Sequence, residues 1–174
     1  WRVMNLKPQD VLVVLGGVCK SPTTSSYQER SIQLGLSVSE VHAADKRLHA
    51  AGLMAEGRPV LAALEEFLVH GLRYVFVPER GSVVRGIPTA HAGPGLSALF
   101  HVDELPPVWP SPEGTVRGLS FSPLYRSAPE AALRDIKLHE LLALADALRG
   151  GRARERKLAA ELIHQHLSDA LYAA

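Results

Sequence analysis

Thiols, a dominant charge and long apolar runs are all scarce in this sequence, and each shortage closes a class of function. One cysteine, Cys19, cannot build an internal disulfide framework and leaves too few thiolates for a zinc ribbon, so a reducing compartment is expected. Lys and Arg number 19 against 18 Asp and Glu, a formal charge of +1. That balance alone implies neither a polyanionic partner nor an acidic substrate, and any electrostatic function must come from local clustering. No stretch approaches the roughly 20 apolar residues that span a bilayer, and Trp1-Arg2-Val3-Met4 lacks a signal-peptide layout. The expectation is a cytoplasmic protein without a membrane partner. A start at Trp rather than Met suggests a missing preceding segment. At 174 residues the chain is too short for a large multidomain enzyme and fits one domain, or one small domain with an appendage.

Catalytic and ligating patterns are equally sparse. Cys19 lies in an apolar stripe without an evident base, and no serine has the context of a nucleophile elbow. Gly81 and Gly86 lack the lysine and following helix of a phosphate-cradling loop. Of the eight histidines, His164 and His166 point to different sides of a helix, and His42 and His49 lie two turns apart, so neither pair is a chelate. No enzyme, metal or cofactor is expected.

What is present is core-forming material, 47% hydrophobic residues with only 21% charged, arranged with helical periodicity. Lys7-Pro8 opens a first helix over residues 7–19, with Leu12, Leu15 and Cys19 on one face. Lys20 to Thr24 reads as a turn. Ser26 with Glu29, and Ser37 with Glu40, are capping boxes that open a second helix ending at Gly35 and a third ending at Gly52. A fourth helix from about Pro59 carries Leu61, Leu64, Leu68 and Leu72 and is expected to pack on the first three. Arg73 to Val77 and Val83 to Arg85 read as a hairpin with Arg80 at its tip. Eight of 12 prolines fall between Pro88 and Pro129, which argues against long helices and central strands there and leaves a short strand at 116–121. Helical periodicity returns from Ala128, with Leu138, Leu141, Leu142, Ala145 and Leu148 on one face. The last helix, 152–171, spreads Leu158, Leu162, Ile163, Leu167 and Leu171 widely enough to be buried on two sides, one of them against a second copy.

Residues Tyr27 to Leu53, YQERSIQLGLSVSEVHAADKRLHAAGL, resemble the helix-turn-helix of bacterial winged-helix transcription regulators, broadly of the MarR type. Gly35 stands at the corner, Leu34 and Leu36 flank it, Val41 and Ala44 face back, and Ser31 is small where the helices cross. Arg30 and Asp45 occupy positions usually apolar, and either pair with each other or a neighbour or mark a shallower packing. The resemblance covers residues 7–58 well and 73–87 loosely. It implies a mainly α fold with a small β-hairpin: a winged helix-turn-helix at 1–87, a proline-rich segment at 88–127 and a helical, dimerising segment at 128–174. It further implies a sequence-specific regulator binding double-stranded DNA as a homodimer.

On that reading the third helix enters the major groove with Ser37, Ser39, His42, Ala43, Lys46 and, more peripherally, Arg47. The hairpin arginines Arg80 and Arg85 reach toward the minor groove, and Arg58 toward phosphate. Residues 1–58 carry seven Lys or Arg against five Asp or Glu, which is mild support and requires two copies on two half-sites. The alternative is a winged-helix interaction or antitoxin-like module that binds a protein partner. The cluster Arg149, Arg152, Arg154, Arg156 and Lys157 reads as a solvated helix end or a phosphate contact. Pro106 to Pro112 is a rigid strap whose Trp109 plugs the core, or a polyproline ligand. Trp109, Phe121 and Tyr125 could line a pocket for a small-molecule effector.

Overall fold

The computed structural model describes residues 4–20, 25–101 and 104–173. The turn expected at 20–24 therefore lies, from Ser21 on, outside the described residues. The chain is mainly helical with a small sheet. Three helices come first, α1 (Pro8–Cys19), α2 (Tyr27–Leu34) and α3 (Val38–Ala50), each begun as the capping signals require. Pro8 occupies the first turn of α1, and the Asp10 carboxylate accepts the Lys7 amide at 2.8 Å. Ser26 and Ser37 accept the amides of Glu29 and Glu40, and each glutamate reaches back to the serine amide.

A two-residue hairpin follows directly, β1 (Met54–Ala55) paired with β2 (Arg58–Pro59). Its turn residues Glu56 and Gly57 both have positive φ, 50° and 74°, the geometry that matches the twist of a tight hairpin. The next helical rod is α4 (Leu61–Glu66), a wide π-type turn (Phe67–Gly71) and α5 (Leu72–Val75). It buries Leu64, Leu68 and Leu72, but chiefly against the C-terminal helices rather than the first three.

The expected hairpin at 73–85 is absent. Arg73, Tyr74 and Val75 complete α5, because the leucine spacing of four continues through Leu72 and outweighs the β preference of Tyr-Val-Phe-Val. Residues 80–88 instead form β3 (Arg80–Pro88), which pairs antiparallel with β4 (Pro107–Pro110) and β5 (Val116–Phe121), while β4 and β5 pair in parallel. The three strands close on one another. The strand expected at 116–121 is present. The exclusion of a central strand from the proline-rich stretch is overturned by β4, whose prolines stand at its ends while Val108 and Trp109 occupy its middle. The segment boundary after residue 87 falls inside β3.

Three helices complete the chain: α6 (Ala128–Arg134), α7 (Ile136–Gly150) and α8 (Ala153–Ala173). Asp135 breaks α6 from α7 and caps the latter by accepting the amides of Lys137 and Leu138. α7 is the centre of the molecule. Every residue from Leu138 to Arg149 except Glu140 is buried, and α7 touches α1, α5, α6, α8 and the short turn at Ala90–Ala92. Within one chain the last helix is buried on one side only, and the helix enclosed nearly all round is α7. α8 buries only Ala159, Ile163 and Leu167, and leaves Leu171 and Tyr172 exposed.

One buried polar cluster joins these layers. Asp146 on α7 accepts from Thr89 Oγ1 and Trp109 Nε1, each at 2.7 Å, and from Arg149 Nε at 2.8 Å. Arg149 donates onward to the carbonyls of Phe76 and Ser122. Burial pushes the Asp146 carboxyl upward, opposed by Arg149 and the Thr89 and Trp109 donors. Trp109 does plug the core, at 1% exposure. Arg149, by contrast, is no part of a solvated helix end.

Candidate functional site

Apolar packing decides which side of α3 faces outward. Val41, Ala44 and Leu48 are fully buried against α1 and α2, which leaves Ser37, Ser39, His42 and Lys46 exposed and Ala43 half-buried on the opposite side. Tyr27 stands beside this face, its ring 5.4 Å from that of His42 in an edge contact, with the Arg30 guanidinium 5.5 Å from the same ring. A shallow groove lined by Tyr27, His42, Lys46, His49 and Gly57 runs along the helix toward the β1–β2 turn.

The corner before α3 is held tightly. Gly35 adopts φ +64°, and a Cβ there would lie 3.0 Å from Ser127 Cβ, so both conformation and space favour glycine. Ser31 is more than a small residue: its hydroxyl donates across the corner to the Leu36 carbonyl at 2.7 Å. From the C-terminal segment, Ser127 donates to the Leu34 carbonyl at 2.7 Å and Arg134 to the Ile32 carbonyl at 3.1 Å. These groups satisfy carbonyls that the end of α2 would otherwise leave open.

Two ion pairs fix α3 about its own axis. Arg30 and Asp45, the two charges at apolar positions, form a bidentate pair with both contacts at 2.7 Å, joining α2 to α3. Arg47 grips the fully buried Asp10 of α1 through contacts of 2.8 and 2.6 Å. Arg47 therefore belongs to the scaffold, and its assignment to the outward face is corrected. At the start of α3, the Ser37 amide holds the Glu40 carboxylate below its ordinary value, and the Tyr125 hydroxyl adds a bond at 3.0 Å. Ser37 spends its hydroxyl on the Glu40 amide and on Ser39, so it serves as a cap.

The remaining expected contacts separate. Arg58 is exposed on β2, next to the hairpin turn and close in sequence to α3. Arg80 is not at a hairpin tip: it begins β3, donates to the Gly150 carbonyl and lies over the Phe121 ring. Arg85 is exposed in the middle of β3, opposite Arg117 of β5. Neither is joined to α3. The hairpin nearest α3 is Met54–Pro59; its sequence signal, Glu56-Gly57 between Met54 and Arg58, is weaker than the longer β-prone run at 73–77. The expected effector pocket is also corrected, since Trp109 and Phe121 are fully buried and closed over by the core.

Burial pushes the Cys19 thiol up to about 12, with Asp135 adding to the effect, so the group is a neutral core neighbour at ordinary pH. Among the described residues no group of three His, Cys, Asp or Glu is placed to hold a metal, and no helix is long and apolar enough to cross a membrane. His164 and His166 instead contact Glu65 and Glu140 at 2.9 and 3.0 Å. No family model, curated protein or solved structure matches the chain.

Proposed function

We propose that the chain is a sequence-specific DNA-binding regulator of the winged-helix type, with α3 as the element that enters the major groove. The observation that carries this reading is the outward face of α3. Ser39, His42 and Lys46 project from it into solvent, while Arg47, Asp45 and Glu40 anchor the same helix to α1, α2 and the segment before α6. A reading helix needs donors on one side and a rigid mount on the other, and α3 has both. Serine and histidine exchange hydrogen bonds with base edges, lysine reaches guanine acceptors or phosphate, and Ala43 suits a thymine methyl. The Met54–Pro59 hairpin takes the wing position, with Arg58 on backbone phosphate.

The proposed partner is a palindromic site bound by two copies of the chain, because a face with so few cations gives weak affinity alone. Fluorescence anisotropy with labelled duplex from the DNA upstream of its own gene tests this. Lys46→Ala with His42→Ala is expected to weaken specific binding by about 2 kcal/mol or more without lowering thermal stability. Unaltered affinity in that double variant overturns the assignment of α3. No specific binding by the parent chain at low salt overturns DNA recognition and favours a protein partner for the same face.

A further inference from the structure

A second concave site shares no residue with the groove along α3. A cavity of about 750 Å³ opens between the closed three-stranded sheet and the start of α8, a size suited to a small organic ligand. Its lining divides by chemistry. Arg80, Arg152 and Arg154 line it with His91 and His101, while Leu99, Phe100, Leu105 and Leu119 supply an apolar wall. Leu99, Leu105 and Leu119 are 49%, 36% and 40% exposed, so this wall faces the open cavity rather than the core.

Among the described lining residues, cations outnumber acids. Glu155 is the one acid among the described lining residues, and its carboxylate already accepts the Arg152 amide at 2.9 Å and stands 3.6 Å from His91. Among the described residues the Arg152 guanidinium has no hydrogen bond or ion pair, and that of Arg154 lies 5.5 Å over the Phe100 ring. Arg152 immediately precedes a 21-residue helix and Arg154 lies in its first turn, where the backbone dipole disfavours positive charge. An anion bound at this end of the helix offsets that charge. Guanidinium forks match the geometry of a carboxylate, and an adjoining apolar wall selects a ligand with a hydrocarbon body.

We infer that this cavity binds an organic carboxylate with an apolar body, its head held by Arg152 and Arg154 and its tail laid along Leu99, Leu105 and Leu119. The site stands independently of DNA recognition. Isothermal titration calorimetry of the full chain with sodium decanoate, below its micelle concentration, tests it.

Saturable binding is expected, weakened at least about tenfold by Arg152→Gln with Arg154→Gln and by Leu119→Ser. All three positions are exposed, and circular dichroism melts of the variants check that the fold is retained. Decanol, with the same tail and no charge, is expected to bind at least about tenfold more weakly than decanoate. Absence of saturable binding overturns the inference, as does unchanged affinity in the arginine double variant. Sodium acetate displacing decanoate at equal concentration also overturns it, since that marks a charged surface without a tail site.

Discussion

Two residues that look misplaced in the helix-turn-helix pattern, Arg30 and Asp45, prove to be each other's partners, and a third charge, Arg47, is equally committed to Asp10. A pattern shows that a charge stands at an apolar position but not which distant side chain meets it. Arg47 passed for a surface residue for that reason, as its partner lies 37 residues away. Because Asp10 is fully buried, Arg47→Ala leaves an uncompensated carboxylate in the core and is expected to cost about 3 kcal/mol. Lys46→Ala, one residue earlier and exposed, should stay within about 0.5 kcal/mol. Urea denaturation of the two variants separates scaffold from surface. His139 offers a pH test. Burial lowers its pKa against the opposing bond to the Pro88 carbonyl, 2.9 Å from Nε2, which must carry the proton because a carbonyl only accepts. The unfolded chain therefore binds a proton near the ordinary value of 6.5 while the folded chain does not, and stability falls as pH drops below that value. Urea midpoints measured between pH 7.5 and 5 should show this loss, and His139→Gln should flatten it.

At the scale of elements, local signals located the starts and stops with physical causes: Pro8, the Ser26 and Ser37 boxes, Gly35 and Gly52 all mark helix ends as read. Two competing signals were resolved by tertiary packing instead. The run Arg73 to Val77 is β-prone, yet Leu72 must reach the core on the same face as Leu64 and Leu68, and the π-type turn at Phe67–Gly71 keeps it there. The short hairpin after α3 has only two residues in each strand, too few for alternation to show. β4 was hidden by its prolines, and its pairing depends on partners with no side chain in the way. At Gly118 a Cβ would fall 2.0 Å from the Pro106 carbonyl oxygen, so strand contact requires glycine at that point. Gly118→Ala is expected to cost about 3 kcal/mol by forcing β4 away from β5, whereas Gly52→Ala, open to solvent though at φ +74°, should cost about 1 kcal/mol. Thermal melts of the two variants measure the difference.

For the whole molecule, the central position of α7 changes how self-association must be tested. Removing everything after Gly150 would strip Ala159, Ile163 and Leu167 from the core, so loss of a dimer in that truncation would report unfolding. The outer end of α8 is the better probe, because Leu171 and Tyr172 are 64% and 88% exposed. If α8 joins two copies, Leu171→Glu with Tyr172→Glu should convert a dimer to a monomer in sedimentation velocity while the circular dichroism spectrum at 25 °C is retained; a persistent dimer moves the interface elsewhere. The same central helix also sets an order of events during synthesis. The apolar strip of α1, Val11 to Leu15, is completed by α7, and the corner at Gly35 is clasped by Ser127 and Arg134. A nascent chain of which only residues up to 100 have left the ribosome has none of these partners and must keep that strip shielded by other means. Ribosome-bound chains stalled before residue 136 should accordingly be chaperone clients, and release should follow the emergence of α7.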